Sequence, residues 1–95
     1  MGELTSVTTK GISPNAGKKA LYVETAATAD SADTIDMTDA DVTGGETLSS
    51  IDLIVAYDQT TGDIVTATQS AGVITIDAAG GTTDHTYALL VIGDA

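Results

Sequence analysis

Apolar residues along the chain fall in short alternating runs, broken by Gly, Asp, Asn and Ser, which is the spacing of strands and not of helices. Seven stretches read as strands: Leu4–Thr9, Lys19–Thr25, Thr34–Met37, Leu48–Tyr57, Asp63–Thr68, Val73–Asp77 and Thr86–Ile92. Turn chemistry separates them at Ser13–Gly17, Thr43–Gly45, Asp58–Asp63, Ser70–Gly72 and Ala79–Thr82. Period two places Ile64, Thr66, Ile74 and Ile76 on one side of two neighbouring strands. In the longest strand Ile51, Leu53 and Val55 alternate with Asp52, Ile54 and Ala56, so neither face is fully polar. Leu89-Leu90-Val91-Ile92 is unbroken: either a central strand covered on both faces, or a strand with one face at a subunit contact. Only Ala26–Ala32 tempts a helical reading, and it is too short and too rich in Thr, Asp and Ser to stand alone.

The fold class that follows is all-β, a small antiparallel β-sandwich or barrel of about seven short strands. Residues 1–18 have weak strand signal and read as an extended N-terminal arm with a short strand, able to reach a neighbour. Residues 19–95 read as a single β-domain. Seventeen Thr reinforce the choice, because β-branching favours strands.

Composition adds a shortage of core. The apolar share is 42%, but 14 of those 40 residues are Ala, and Phe and Trp are absent. With no Cys, a disulfide scaffold, a thiolate metal site and a cysteine nucleophile are excluded. A thin core without staples points to self-association or docking on a partner as a source of further burial.

Charge narrows the partners. Fourteen acids face three Lys and no Arg, for a net charge of −11. Nucleic-acid binding needs cations at the phosphates, and anionic membranes repel such a chain, so neither is expected. No apolar run reaches the ~20 residues that span a bilayer. Met1–Lys10 has no stretch resembling a signal peptide. Lys10, Lys18 and Lys19 lie together near the start with only Glu3 opposing them, whereas residues 20–95 carry thirteen acids and no Lys or Arg. That asymmetry predicts a basic arm docking on an acidic surface and an acidic body facing solvent. The composition also suits a halophilic or marine source, where salt screens self-repulsion.

Candidate chemistry is sparse. His85 is the sole histidine, and its neighbour Asp84 points to the opposite strand face, so the reading is a surface or strand-start histidine without a catalytic triad. Asp30, Asp33, Asp36, Asp39 and Asp41 could collect a hard cation, and Asp39–Gly44 copies the opening of a calcium loop. The twelfth position of that loop is Ser50 where Glu is needed, which leaves a weak Ca²⁺ site or a solvated loop as alternatives. Asp58 with Asp63, and Asp77 with Asp84, read as turn residues. Gly44-Gly45 and Gly80-Gly81 lack the Lys or helix start of a phosphate loop. Tyr22, Tyr57 and Tyr87 fall within strands and are expected to pack in a core or interface. No catalytic residues and no obligatory cofactor are expected.

Leu4–Thr9 followed by Gly17-Lys18-Lys19-Ala20-Leu21-Tyr22-Val23 is similar to the start of small capsid decoration (cement) proteins of tailed viruses. The Ala/Thr/Asp-rich Thr25–Met37 and the closing strand Thr86–Gly93 resemble theirs as well. The resemblance implies a non-enzymatic virion protein on the capsid exterior, bound to the major capsid protein lattice, often as a homotrimer at three-fold positions. Alternatives are a turret, fibre-base or tail-associated β-module, or a Ca²⁺- or carbohydrate-binding module. Under this reading Lys10, Lys18 and Lys19 dock the arm, and Leu89, Leu90, Val91 and Ile92 form the core strand or subunit contact.

Overall fold

The computed structural model describes residues 3–4, 6–15, 18–27, 29–77 and 83–94, with backbone alone for 12–15. Its strands are β1 (Thr8–Asn15), β2 (Lys18–Glu24), β3 (Thr34–Asp36), β4 (Ser50–Asp58), β5 (Asp63–Ser70), β6 (Val73–Asp77) and β7 (Tyr87–Asp94). One helical turn, α1 (Ala40–Thr43), lies between β3 and β4. All seven strands join one sheet in the order β1-β2-β7-β4-β5-β6-β3, every strand pairing being antiparallel. The sheet curls into a half-barrel. The all-β, seven-strand expectation holds, and a curled single sheet takes the place of two packed layers.

The concave side holds the core. Leu21 and Val23 from β2, Leu89 and Val91 from β7, Ile74 and Ile76 from β6 and Ile35 from β3 are buried there. Met37, Val42 and Leu48 close it from the α1 side. Each such side chain contributes roughly 1.5–3 kcal/mol over its exposed state. Tyr87, fully buried, supplies the aromatic bulk that Phe and Trp would otherwise provide.

α1 was not expected, yet its ends carry the standard chemistry. Asp39 has extended backbone and its carboxylate accepts the Asp41 N–H at 2.9 Å, while Gly44 takes the left-handed conformation (φ 70°) and donates its N–H to Ala40. An N-cap Asp favours the start of a helix and a left-handed Gly its end. The segment resembling a calcium-loop opening is this capped turn.

The expected strand at Leu4–Thr9 lies later, at Thr8–Asn15, and the turn expected from Ser13 is part of it. Pro14 reads as a breaker, but β1 is an edge strand with a neighbour on one side only, where Pro is tolerated. The preceding residues stay on the body. The Leu4 N–H donates to the Thr34 carbonyl (2.8 Å) and the Val7 N–H to the Val42 carbonyl (2.9 Å), with both side chains packed on the core. The described residues between 3 and 9 thus touch β3 and then α1 before entering β1. Residues 5, 16 and 17, and the turn expected at Ala79–Thr82, lie outside the described residues.

Two phase changes set which side chains face out. β5 and β6 join through Ala71-Gly72, both at positive φ, with Ser70 opposite Val73. A two-residue turn pairs positions of opposite parity, so Ala67 and not Thr66 faces Ile76. Ile64 and Thr66 therefore lie on the opposite face from Ile74 and Ile76, which corrects the shared face expected from period two. In β4 the register against β7 shifts between Ile51 and Leu53, a bulge at Asp52. Ile51 is buried before it; Leu53, Val55 and Tyr57 point outward after it.

Candidate functional site

β7 is central, between β2 and β4, and its two faces differ. Leu89 and Val91 are buried in the core, whereas Leu90 and Ile92 are half-buried on the convex side. Register aligns Ile92 with Leu53 and Ala20, Leu90 with Val55 and Tyr22, and Ala88 with Tyr57 and Glu24. Ile64 of β5 stands opposite Tyr57. Leu53 (48%), Val55 (43%), Tyr57 (41%) and Ile64 (72%) are the large exposed hydrophobics among the described residues, and all four sit on this face. At normal strand spacings the patch spans roughly 15–20 Å each way, a few hundred Å², which is within the range of the largest apolar patch on a monomer.

Its rim is polar. At one end Lys18 Nζ lies 2.7 Å from Asp52 and 2.9 Å from Asp94, and hydrogen bonding to these carboxylates raises the lysine's pKa. Asp94 is held below the usual carboxylate range by Lys18 and then by the Ser50 hydroxyl. At the other end Glu24 accepts a hydrogen bond from the Tyr22 hydroxyl (3.2 Å). Burial, then the Glu24 charge, push that phenol up and keep it protonated as the donor.

The three lysines do not lie on a free arm. Lys10 is exposed on β1 opposite Tyr22, flanking the apolar patch. Lys18 is engaged as above. Lys19, of opposite parity, turns the other way to Glu46 (3.0 Å) and the Thr47 carbonyl (3.4 Å). Of the three lysines expected to dock the arm, Lys10 is exposed on β1, and Lys18 and Lys19 contact carboxylates of the body.

Nor do the five loop carboxylates converge. Asp33 accepts the Asp30 N–H, Asp30 the Asp84 N–H, Asp36 the Thr38 N–H and hydroxyl, and Asp39 the Asp41 N–H. Asp33, Asp36 and Asp39 close local turns, whereas Asp30 reaches the backbone of Asp84, 54 positions on. Among the described residues no group of three or more Asp, Glu or His is placed to hold a metal ion. The candidate Ca²⁺ site at Asp30, Asp33, Asp36, Asp39 and Asp41 is corrected accordingly.

His85 is oriented by Asp58, a residue whose sequence context points only to a turn. Its Nδ1 lies 2.7 Å from Oδ2 of Asp58, which is 1% exposed. Asp58 Oδ1 accepts the N–H groups of Thr60 (2.9 Å) and Thr61 (3.2 Å). Burial pushes the Asp58 carboxyl up, but the His85 contact and the two amides outweigh it and hold the pKa below 3.8. The acid is ionised, so Nδ1 carries the hydrogen and donates. The His85 backbone meanwhile exchanges two hydrogen bonds with Ala29. The pair fastens the β4–β5 turn to the segment entering β7.

A carboxyl whose pKa falls on folding adds stability that is complete above its unfolded value of 3.8 and lost as pH falls through the lower folded one. The wild type is expected to lose its stability advantage over Asp58→Asn below pH ~4, as urea midpoints across acid pH would show. An advantage that stayed constant down to pH ~2 would remove Asp58 from the acid response.

A recess of about 190 Å³ opens where β4 and β5 part, lined by Ile51, Asp52, Leu53, Ile54, Ala67 and Gln69. Their ladder covers only Ala56–Asp58 against Asp63–Val65. The dominant surface feature remains the apolar face beside it. No family model, curated protein or solved structure matches the chain.

Proposed function

We propose that this chain is a non-enzymatic structural protein of a virion, binding the outer surface of a capsid lattice and stabilising it as a decoration or cement protein. The observation that carries the reading is the convex face of β2, β7, β4 and β5. It is apolar at its centre, charged at its rim and mounted on the rigid middle of the sheet, which is the anatomy of a protein–protein interface. A repeating lattice converts modest single contacts into durable attachment. The acidic remainder of the surface keeps the exposed side soluble.

Copy number on purified particles tests this. Lattice binding predicts a count of the same order as the shell protein. Attachment at a turret, fibre base or tail predicts far fewer copies, and absence from particles sinks the reading. Leu53→Asp, at a position 48% exposed, is expected to change stability by less than ~1 kcal/mol and to reduce co-sedimentation with particles at least ~10-fold.

A further inference from the structure

We infer that the recess between β4 and β5 receives an arginine side chain of the partner protein, its guanidinium set against Asp52. The inference rests on the virion-structural reading above and names what the partner presents beside the apolar face.

The recess exists because a ladder stops. β4 pairs with β7 from Ser50 to Asp58 but with β5 only over Ala56–Asp58, and β5 from Thr66 to Ser70 pairs with β6 alone. Alternate residues of an antiparallel strand direct N–H and C=O to each side, so both strands turn carbonyls outside any ladder toward the opening. Leu53 belongs to the recess and to the apolar patch, so a partner covering the patch also reaches the opening. At about 190 Å³ it is smaller than the ~300–1,000 Å³ of small-molecule pockets and suits the end of one side chain.

Charge gives that side chain its sign. Lys18 is one ammonium shared between Asp52 (2.7 Å) and Asp94 (2.9 Å), so the group keeps one surplus negative charge. Asp52, half-exposed, carries it to the recess wall, where no cation stands among the described residues. A second ammonium would add another compact, strongly hydrated charge beside Lys18. A guanidinium is weakly hydrated and holds five donors in a plane, enough for a carboxylate and main-chain carbonyls together. This chain contains no Arg, so the residue comes from a different protein and not from another copy.

Amide NMR shifts of Leu53, Ile54 and Ala67 test the contact, with N-acetylarginine amide, N-acetyllysine amide and the neutral citrulline amide as probes. The expected result is a saturable shift at the recess with a Kd on the order of 10 mM for the arginine probe in ~0.05 M salt. The lysine probe should bind at least ~3-fold and the citrulline probe at least ~10-fold more weakly. Asp52→Asn should weaken the arginine probe roughly 3- to 10-fold, and Lys18→Gln, which frees both carboxylates, should tighten it by a similar factor. Asp41→Asn removes the same charge from exposed α1 and should leave it unchanged. Shifts spread over the acidic surface, an equal response to citrulline, or Asp52→Asn binding no more weakly than Asp41→Asn overturns the site. Particle binding is read separately. Asp52→Asn coating particles as well as wild type defeats the arginine contact and leaves the decoration reading standing; a recess that binds arginine on a protein absent from particles does the reverse.

Discussion

Asp58→Ala is expected to lower the unfolding free energy by about 3–5 kcal/mol, because it removes a buried ionised acceptor shared by three donors. Three donors lose their acceptor at once: His85 Nδ1, and the N–H groups of Thr60 and Thr61. The site is buried, so water replaces the carboxylate poorly. Asp58→Asn should cost less, because an amide oxygen can still accept from the turn. The two variants separate the turn function from the histidine function. Chemical denaturation of both, beside His85→Ala, checks the assignment; an Asp58→Ala loss under ~1 kcal/mol would mean the network is dispensable. Most domains hold only ~5–15 kcal/mol in total, so the Ala variant approaches the threshold of folding.

Gly93→Ala is expected to cost about 2–3 kcal/mol, or roughly 10–20 °C in Tm for a domain of this length. A Cβ at this position would overlap the Ser50 carbonyl oxygen and come within 2.9 Å of the Ser50 carbonyl carbon and 3.0 Å of Ile51 Cα. All three are main-chain atoms, so no side-chain rotation relieves the overlap. Gly93 pairs with Ile51 at the start of the β4 bulge, where the backbones approach closely. The bulge also turns Leu53, Val55 and Tyr57 outward, so displaced pairing here should disturb the convex face as well. A melting scan of Gly93→Ala decides it, and a Tm within ~2 °C of wild type would refute the close approach.

Strand content was legible because β-branched alternation and turn residues are local signals. β2, β3, β5, β6 and β7 begin within a residue of where the pattern places them. What was not legible depends on pairing. Nothing near Asp52 announces a bulge, yet it decides that Leu53 and not Ile51 faces solvent. The two-residue turn at Ala71-Gly72 was visible as Gly-containing turn chemistry, and its parity rule would have separated Ile64 from Ile76. Asp58 and His85 are 27 positions apart and meet only because β4 and β7 are neighbours. Asp84, adjacent in sequence, gives its N–H to Asp30 instead. Leu89–Ile92 was readable as a central strand: its buried residues alternate with half-buried ones between β2 and β4.

The position of β7 has a consequence for how the chain is made. It is the last of the seven strands in sequence and occupies the middle of the sheet, between β2 and β4. Until residues 87–94 have left the ribosome, neither strand has the neighbour that covers its inner edge. β1–β2 and β4–β5–β6 can form only as separate hairpin units beforehand, and the core cannot close on its own schedule. Pairing strands so far apart in sequence is slow, and exposed apolar edges invite aggregation while it waits. The thirteen carboxylates after residue 19 repel one another between nascent copies during that interval, which opposes such association.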